Sequence, residues 1–292
     1  MQTDMTVGKP MKMLLNFTIP VFIGNVFQQL YSMADAVIVG KFVGTKGLAA
    51  VGATGTITFL IIGFLMGLTT GFTVLTSQKF GAGRMDEMRK TVGNAAILSA
   101  VIAVIMTAVS MLGMHRLLVF MHTPEDIFDG AYGYIMIICA GIFTQVLYNL
   151  VSSVLRALGN SKTPLYFLIL AAGLNIVLDL VFIIFFHWGA PGAAWATVIS
   201  QGVSGLLCLV YIWKAVPELR MKREDWHFNK DIAAKQISVG IPMGLQYSIT
   251  AIGTIIVQGA VNIYGTTYMA GFSAAGKIQN IVSMVAVSMG AT

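Results

Sequence analysis

TPLYFLILAAGLNIVLDLVFIIFF, residues 163–186, decides the fold. This run contains one acidic or basic side chain, Asp179. About 20 consecutive apolar residues make a helix that crosses a hydrocarbon layer. A carboxylate inside that layer costs several kcal/mol, so it faces a cavity or a partner and marks an ion or substrate path. Asp35 is placed the same way, within VFQQLYSMADAVIVG at 26–40. The other ten of the 12 acidic residues fall in polar loops or the N-terminal tail.

The rest of the chain reads like that segment. Of 292 residues, 57% are hydrophobic and 10% charged, and the mean hydropathy is +0.81. A soluble domain carries about 25% charged residues, so this is an all-α polytopic membrane protein. Eight spanning segments are predicted, at 13–39, 48–78, 91–113, 131–157, 163–186, 191–213, 236–264 and 268–292. With the N-terminus in the cytoplasm, inside regions hold 14 of the 18 Lys and Arg residues. Outside loops hold Lys41, Lys46 and Arg116, and Lys277 falls in the eighth segment. That bias sets the orientation and suits a multi-pass protein of the plasma (inner) membrane. It also accounts for the net charge of +6 without a nucleic-acid partner. Cys139 and Cys208 lie in apolar runs and suggest neither a disulfide framework nor a zinc site. The opening MQTDMTVGKPMKM lacks the short apolar core and cleavage site of a signal peptide.

Residues 1–213 read as an N-lobe of six helices and 214–235 as a cytoplasmic linker. Residues 236–292 read as the first two helices of a pseudo-symmetric C-lobe. The support is a partial repeat. Ile19-Pro20 recurs as Ile241-Pro242, and LAAVGA (48–53) as MAGFSA (269–274), offset by 222 and 221 residues. Six helices separate the copies, so both enter the membrane from one side, as in a parallel repeat. The second copy stops within an apolar run, which reads as a truncated chain or one with four further helices not included.

Topology groups the polar residues. At 1.5 Å per residue, Asp35, Asp179 and Thr197 fall roughly 6–10 Å below the outer face, on the first, fifth and sixth segments. Asn175 and Asp179 share a helix face, as do Thr197 and Gln201. Two carboxylates, an amide oxygen and a hydroxyl suit a small hard cation. The same pair can instead hold a proton, because a dry site disfavours two neighbouring negative charges. Na⁺ and H⁺ stay equally open. Gln145, Asn149, Ser152, Ser153 and Arg156 form a stripe on the fourth segment; it lines a substrate path or holds helices together. Gln28, Gln29 and Tyr31 pose the same choice, and Pro20 is a candidate hinge. Gly63, Gly67 and Gly71 read as a packing stripe. The four His residues sit in loops or at helix ends and receive no metal. No phosphate-binding loop or hydrolase motif is present, so the chain does not read as an enzyme.

Five stretches together resemble the multidrug and toxic compound extrusion (MATE) transporters. They are IPVFIGNVFQQLYSMADAVIVGKFVG, SQKFGAGRMDEMRK, VLRALGNSKTP, AAGLNIVLDLVFI and GAPGAAWATVISQ. The resemblance implies a twelve-helix fold of two lobes around a central cavity, monomeric at full length. It implies export of small organic, often cationic, compounds in exchange for Na⁺ or H⁺, with membrane lipids as surroundings and no other cofactor. The family's N-lobe ion site maps onto Asp35, Asn175, Asp179 and Thr197, and its first-helix Gln onto Gln28. A lipid-linked oligosaccharide flippase needs a basic cavity, whereas acids mark this interior and Arg156 falls at a cytoplasmic helix end. A non-transporting scaffold or sensor would leave the aligned polar groups without a role.

Overall fold

A computed structural model describes residues 10–121, 123–262 and 283–290, and every regular element among them is helical. The elements are α1 (Pro10–Phe42), α2 (Thr45–Gly81), α3 (Met85–Phe120), α4 (Glu125–Ala140), α5 (Ile142–Ala157), α6 (Lys162–Leu180), α7 (Gly189–Ala215) and α8 (Lys230–Asn262). A π turn, Val181–Phe185, extends α6. Residues 283–290 form a further helical stretch. Among the described residues, five helices are long and apolar enough to cross a membrane, or six if α4 and α5 form one bent span. The lipid-facing side chains are correspondingly bare: Leu112 is 83% exposed on α3.

The first, second, third and sixth predicted segments are single spanning helices, and the fourth, fifth and seventh differ from the expectation. The fourth segment is two helices bent by 47°, and it starts at Glu125 rather than 131. Gly141 occupies the bend because a Cβ there would lie 2.3 Å from Val198 Cγ2 of α7. Thr144 Oγ1 donates to the Gly141 carbonyl at 2.8 Å, which keeps that group bonded at the break. The fifth segment ends in the π turn, closed by Phe186 N–H donating to the Val181 carbonyl at 3.2 Å. The seventh segment starts at Lys230 and is not among the apolar spans. Gln236, Gln246, Ser238 and Ser248 dilute its hydropathy, and it already includes the last six residues of the expected linker. The eighth segment lies outside the described residues apart from 283–290, and with it MAGFSA and Lys277.

Two layers of apolar core stack along the bundle. One gathers Val39, Leu65, Leu118, Ile135 and Ala194. The other gathers Phe72, Met88, Leu155, Leu158 and Ala233. Helix α1 lies chiefly on α6, α6 on α7, and α7 on α4 and α5, while α2 packs against α3, α4 and α5. The most extensive contact joins α2 to α8. There the glycine stripe admits backbone against backbone: a Cβ on Gly71 would stand 2.4 Å from Gly240 Cα, and one on Gly67 would stand 2.5 Å from the Met243 carbonyl. Gln236 closes the seam, donating from Nε2 to the carbonyls of Phe72 (3.0 Å) and Thr91 (2.8 Å). Two 3₁₀ turns, Pro217–Leu219 and Arg223–Trp226, fill the connection before α8. It is bound to α3: Asn94 Oδ1 accepts from Asn229 N–H at 2.9 Å, and Arg89 pairs with Asp225 at 3.7 Å.

Candidate functional site

One end of the bundle, toward the C-terminal ends of α1 and α6 and the N-terminal end of α7, brings Asp35, Asn175, Asp179 and Thr197 together. Counted from Phe42, from the end of the π turn at Phe185 and from Gly189, they lie about 9–15 Å inside at 1.5 Å per residue. Asp179 and Asn175 are fully buried, Asp35 and Thr197 nearly so. Asp35 on α1 and Asp179 on α6 face each other within hydrogen-bonding reach. Each keeps a buried Oδ1 without a hydrogen-bond partner. Two like unit charges about 4 Å apart repel by roughly 4 kcal/mol at an effective dielectric of 20. A proton or a cation between the carboxyls removes that repulsion.

Asn175 and Thr197 complete the cluster. With the Asn175 amide nitrogen toward Asp179, Nδ2 donates to Oδ2 at 3.1 Å and the amide oxygen accepts from the Thr197 N–H at 3.3 Å. Turned over, Nδ2 donates to Thr197 Oγ1 at 3.4 Å, and the amide oxygen faces the carboxyl oxygen, acceptor against acceptor. The first arrangement is satisfied by protein groups alone. The second becomes favourable when a cation or proton lies between the two oxygens. Residue choice therefore fits a hard ion, and among the described residues no trio of His, Cys, Asp or Glu offers a metal site of another kind.

Tyr31, read from sequence as a substrate-path residue, belongs here: its hydroxyl donates to Thr197 Oγ1 at 3.4 Å. Tyr31, Gln28, Ser200 and Gln201 line a shallow crevice beside the cluster. Gln201 Oε1 is buried without a partner. A second, wider groove opens between α1, α2, α5 and α6, toward the end of the bundle that holds Pro20 and Arg156. It brings together Pro20, Gln28, Asn149 and Arg156. Gln145 is buried on α5 and lines neither space. Pro20 lies within an unbroken α1.

Two features of the site escaped the sequence reading. Asn25 lines the groove and donates from Nδ2 to Ser288 Oγ at 2.9 Å, tying α1 to the 283–290 helix. Its position three residues before Gln28 was an available signal. The π turn begins two residues after Asp179. Such turns recur at functional sites, and VFIIF carries no polar residue that would announce one. Phe182 within the turn and Phe186 just after it stack on Trp188, with centroids 5.0 and 5.4 Å apart.

Residues 20–181 match the MatE family. A probable multidrug resistance protein, YpnP, of Bacillus subtilis is 32% identical over 98% of the chain and 64% of its own length. A probable multidrug resistance protein, NorM, of Thermotoga maritima is 27% identical over 94% of the chain and 60% of its own length. An outward-facing multidrug resistance MATE family transporter of the MOP superfamily superposes with a TM-score of 0.89 and 27% identity, over 97% of this chain and 63% of that one. The chain thus spans less than two thirds of the length of these relatives.

Proposed function

The chain belongs to the MatE family, and from that premise we propose that it works in secondary active export, moving small organic compounds out of the cell against inward Na⁺ or H⁺. The observation that supports this reading best is the facing Asp35–Asp179 pair, with one unpartnered buried oxygen on each carboxyl. In this reading residues 1–213 are the N-lobe, 214–235 the cytoplasmic connection and 236–292 the start of the second lobe. The N-terminus is cytoplasmic, consistent with the Lys and Arg bias.

The ion enters from outside and settles between Asp35, Asp179, Asn175 and Thr197. Asn175 is the responsive element: its amide turns its oxygen toward the ion and releases the bond from Thr197 N–H. Tyr31, held on Thr197, feels the change and passes it to α1, which carries Asp35, Gln28 and Pro20. A ligand shifts a two-state equilibrium only through its different affinity for the two states. Here the difference is the α1–α6 closure that an ion favours and bare carboxylates resist. Organic compounds, cations among them, leave as α1 repacks about Pro20. Asp35→Asn and Asp179→Asn should each stop ion-driven efflux of a fluorescent organic cation from vesicles holding equal amounts of protein. Normal efflux in both variants would reject the mechanism.

A further inference from the structure

We propose that the wider groove is a binding site for an anionic group, a carboxylate or phosphate borne by an amphiphilic organic compound, with Arg156 as its anchor. The proposal rests on the transport reading for its purpose, but its geometry is separate from the carboxylate pair. Arg156 lies in the last turn of α5 and lines the groove, half-buried. One nitrogen, Nη2, donates to Ser153 Oγ at 3.2 Å, out of five N–H donors on a guanidinium. No Asp or Glu lines the groove, and among the described residues no carboxylate forms an ion pair with Arg156. Its titratable neighbours are Tyr148, Tyr247 and Cys208.

Lys46, Lys79, Arg84 and Arg89 each reach an acid, whereas Arg116, Arg220 and Arg223, like Arg156, form no ion pair among the described residues; Arg156 differs from these three in lining a groove. A guanidinium drawn into a bundle interior calls for a partner of opposite charge, and its planar fork matches a carboxylate or phosphate. The Asp35–Asp179 pair cannot serve. Fifteen residues of α1 separate Pro20, at the groove, from Asp35, about 22 Å at 1.5 Å per residue. The groove supplies the rest of a site. Asn149 and Gln28 stand along it with amide donors, and Val21, Met66 and Leu168 offer an apolar wall. The lobe is therefore polarised, acidic at the carboxylate pair and basic at the groove. Zwitterionic and anionic amphiphiles join cations among its substrates.

The test is equilibrium binding of pyrenebutyrate, with the uncharged pyrenebutyramide as control, to the purified protein in phosphatidylcholine nanodiscs. Arg156→Gln should weaken pyrenebutyrate about tenfold or more, the loss of a charge-assisted contact, and leave the amide unchanged. Arg156→Lys should retain most of the binding. Asn149→Asp, which adds a carboxylate to the same groove, should also weaken pyrenebutyrate and serves if Arg156→Gln does not fold. Adding phosphatidylglycerol identifies the natural source. Displacement of the probe from wild type assigns the site to lipid phosphate, and retention assigns it to soluble anions; both outcomes support an anion site. Equal pyrenebutyrate affinity in wild type, Arg156→Gln and Asn149→Asp would overturn the proposal. Because binding is read without an ion gradient, a failure of the antiport mechanism would not affect this result.

Discussion

Replacing Gly71 by alanine should loosen the whole molecule, although alanine is the better helix former. The added Cβ would meet Gly240 Cα at 2.4 Å, Gly240 N at 2.9 Å and the Val239 carbonyl carbon at 3.2 Å. All three are backbone atoms, so no rotamer change relieves the clash. Helix α8 must withdraw by about 1 Å to restore ordinary contact at 3.4 Å. Overpacking of this kind costs about 1–3 kcal/mol. Withdrawal also stretches the two buried bonds from Gln236, at about 1–3 kcal/mol if lost. Against this, alanine gains about 1 kcal/mol of helix propensity. The net destabilisation is about 1–5 kcal/mol. Gly55, on the same helix, is the internal control: a Cβ there meets nothing within 4 Å. Gly55→Ala should be stabilising by about 0.5–1 kcal/mol. Unfolding of both variants by denaturant in one detergent compares them directly. If Gly71→Ala proves as stable as Gly55→Ala, the close α2–α8 seam is not how this bundle is held.

Three other outcomes follow from the same geometry. Gly141→Ala should cost about 1–3 kcal/mol by pressing on Val198; because the clash is with side-chain atoms, adding Val198→Ala should restore part of the loss in the same unfolding assay. Asn94→Ala removes the acceptor of Asn229 N–H, so deuterium uptake across 222–229 should rise several-fold by mass spectrometry while α6 and α7 stay unchanged. Asn175→Ala should raise the ion concentration for half-maximal efflux about tenfold, the loss of one oxygen contact worth about 1.4 kcal/mol; an unchanged value would remove Asn175 from the ion's surroundings.

Much of this was legible because membrane sequence is nearly free of charge. Against VLDLVFIIFF an aspartate stands out, and depth follows from helix rise once Lys and Arg fix the orientation. Asn175, Asp179 and Thr197 therefore came together before any coordinates. Rotation about a helix axis is harder to read. Tyr31 and Gln28 lie within one turn on α1, and nothing in their order shows that Tyr31 reaches Thr197 while Gln28 borders the groove. The break at Gly141 was hidden because apolar residues flank it on both sides; the reason for a glycine there is Val198, 57 residues later. Helix α8 begins earlier than expected because Lys230–Lys235 is polar yet still helical, and charge marks where the lipid ends, not where the helix does. Arg156 read as a helix-end cation, and only the packing of α1 against α6 turns its surroundings into a groove.

The central claim is that Asp35 and Asp179 act as one ion site. Difference infrared spectroscopy of the carboxyl stretch during Na⁺ and H⁺ titration addresses it most directly, since it reports the carboxyl groups themselves whichever ion binds. The account predicts one carboxyl signal that responds to the ion and disappears equally in Asp35→Asn, in Asp179→Asn and in the double variant. A signal that persists in either single variant, or is halved by each, would mean two independent acids and would contradict it.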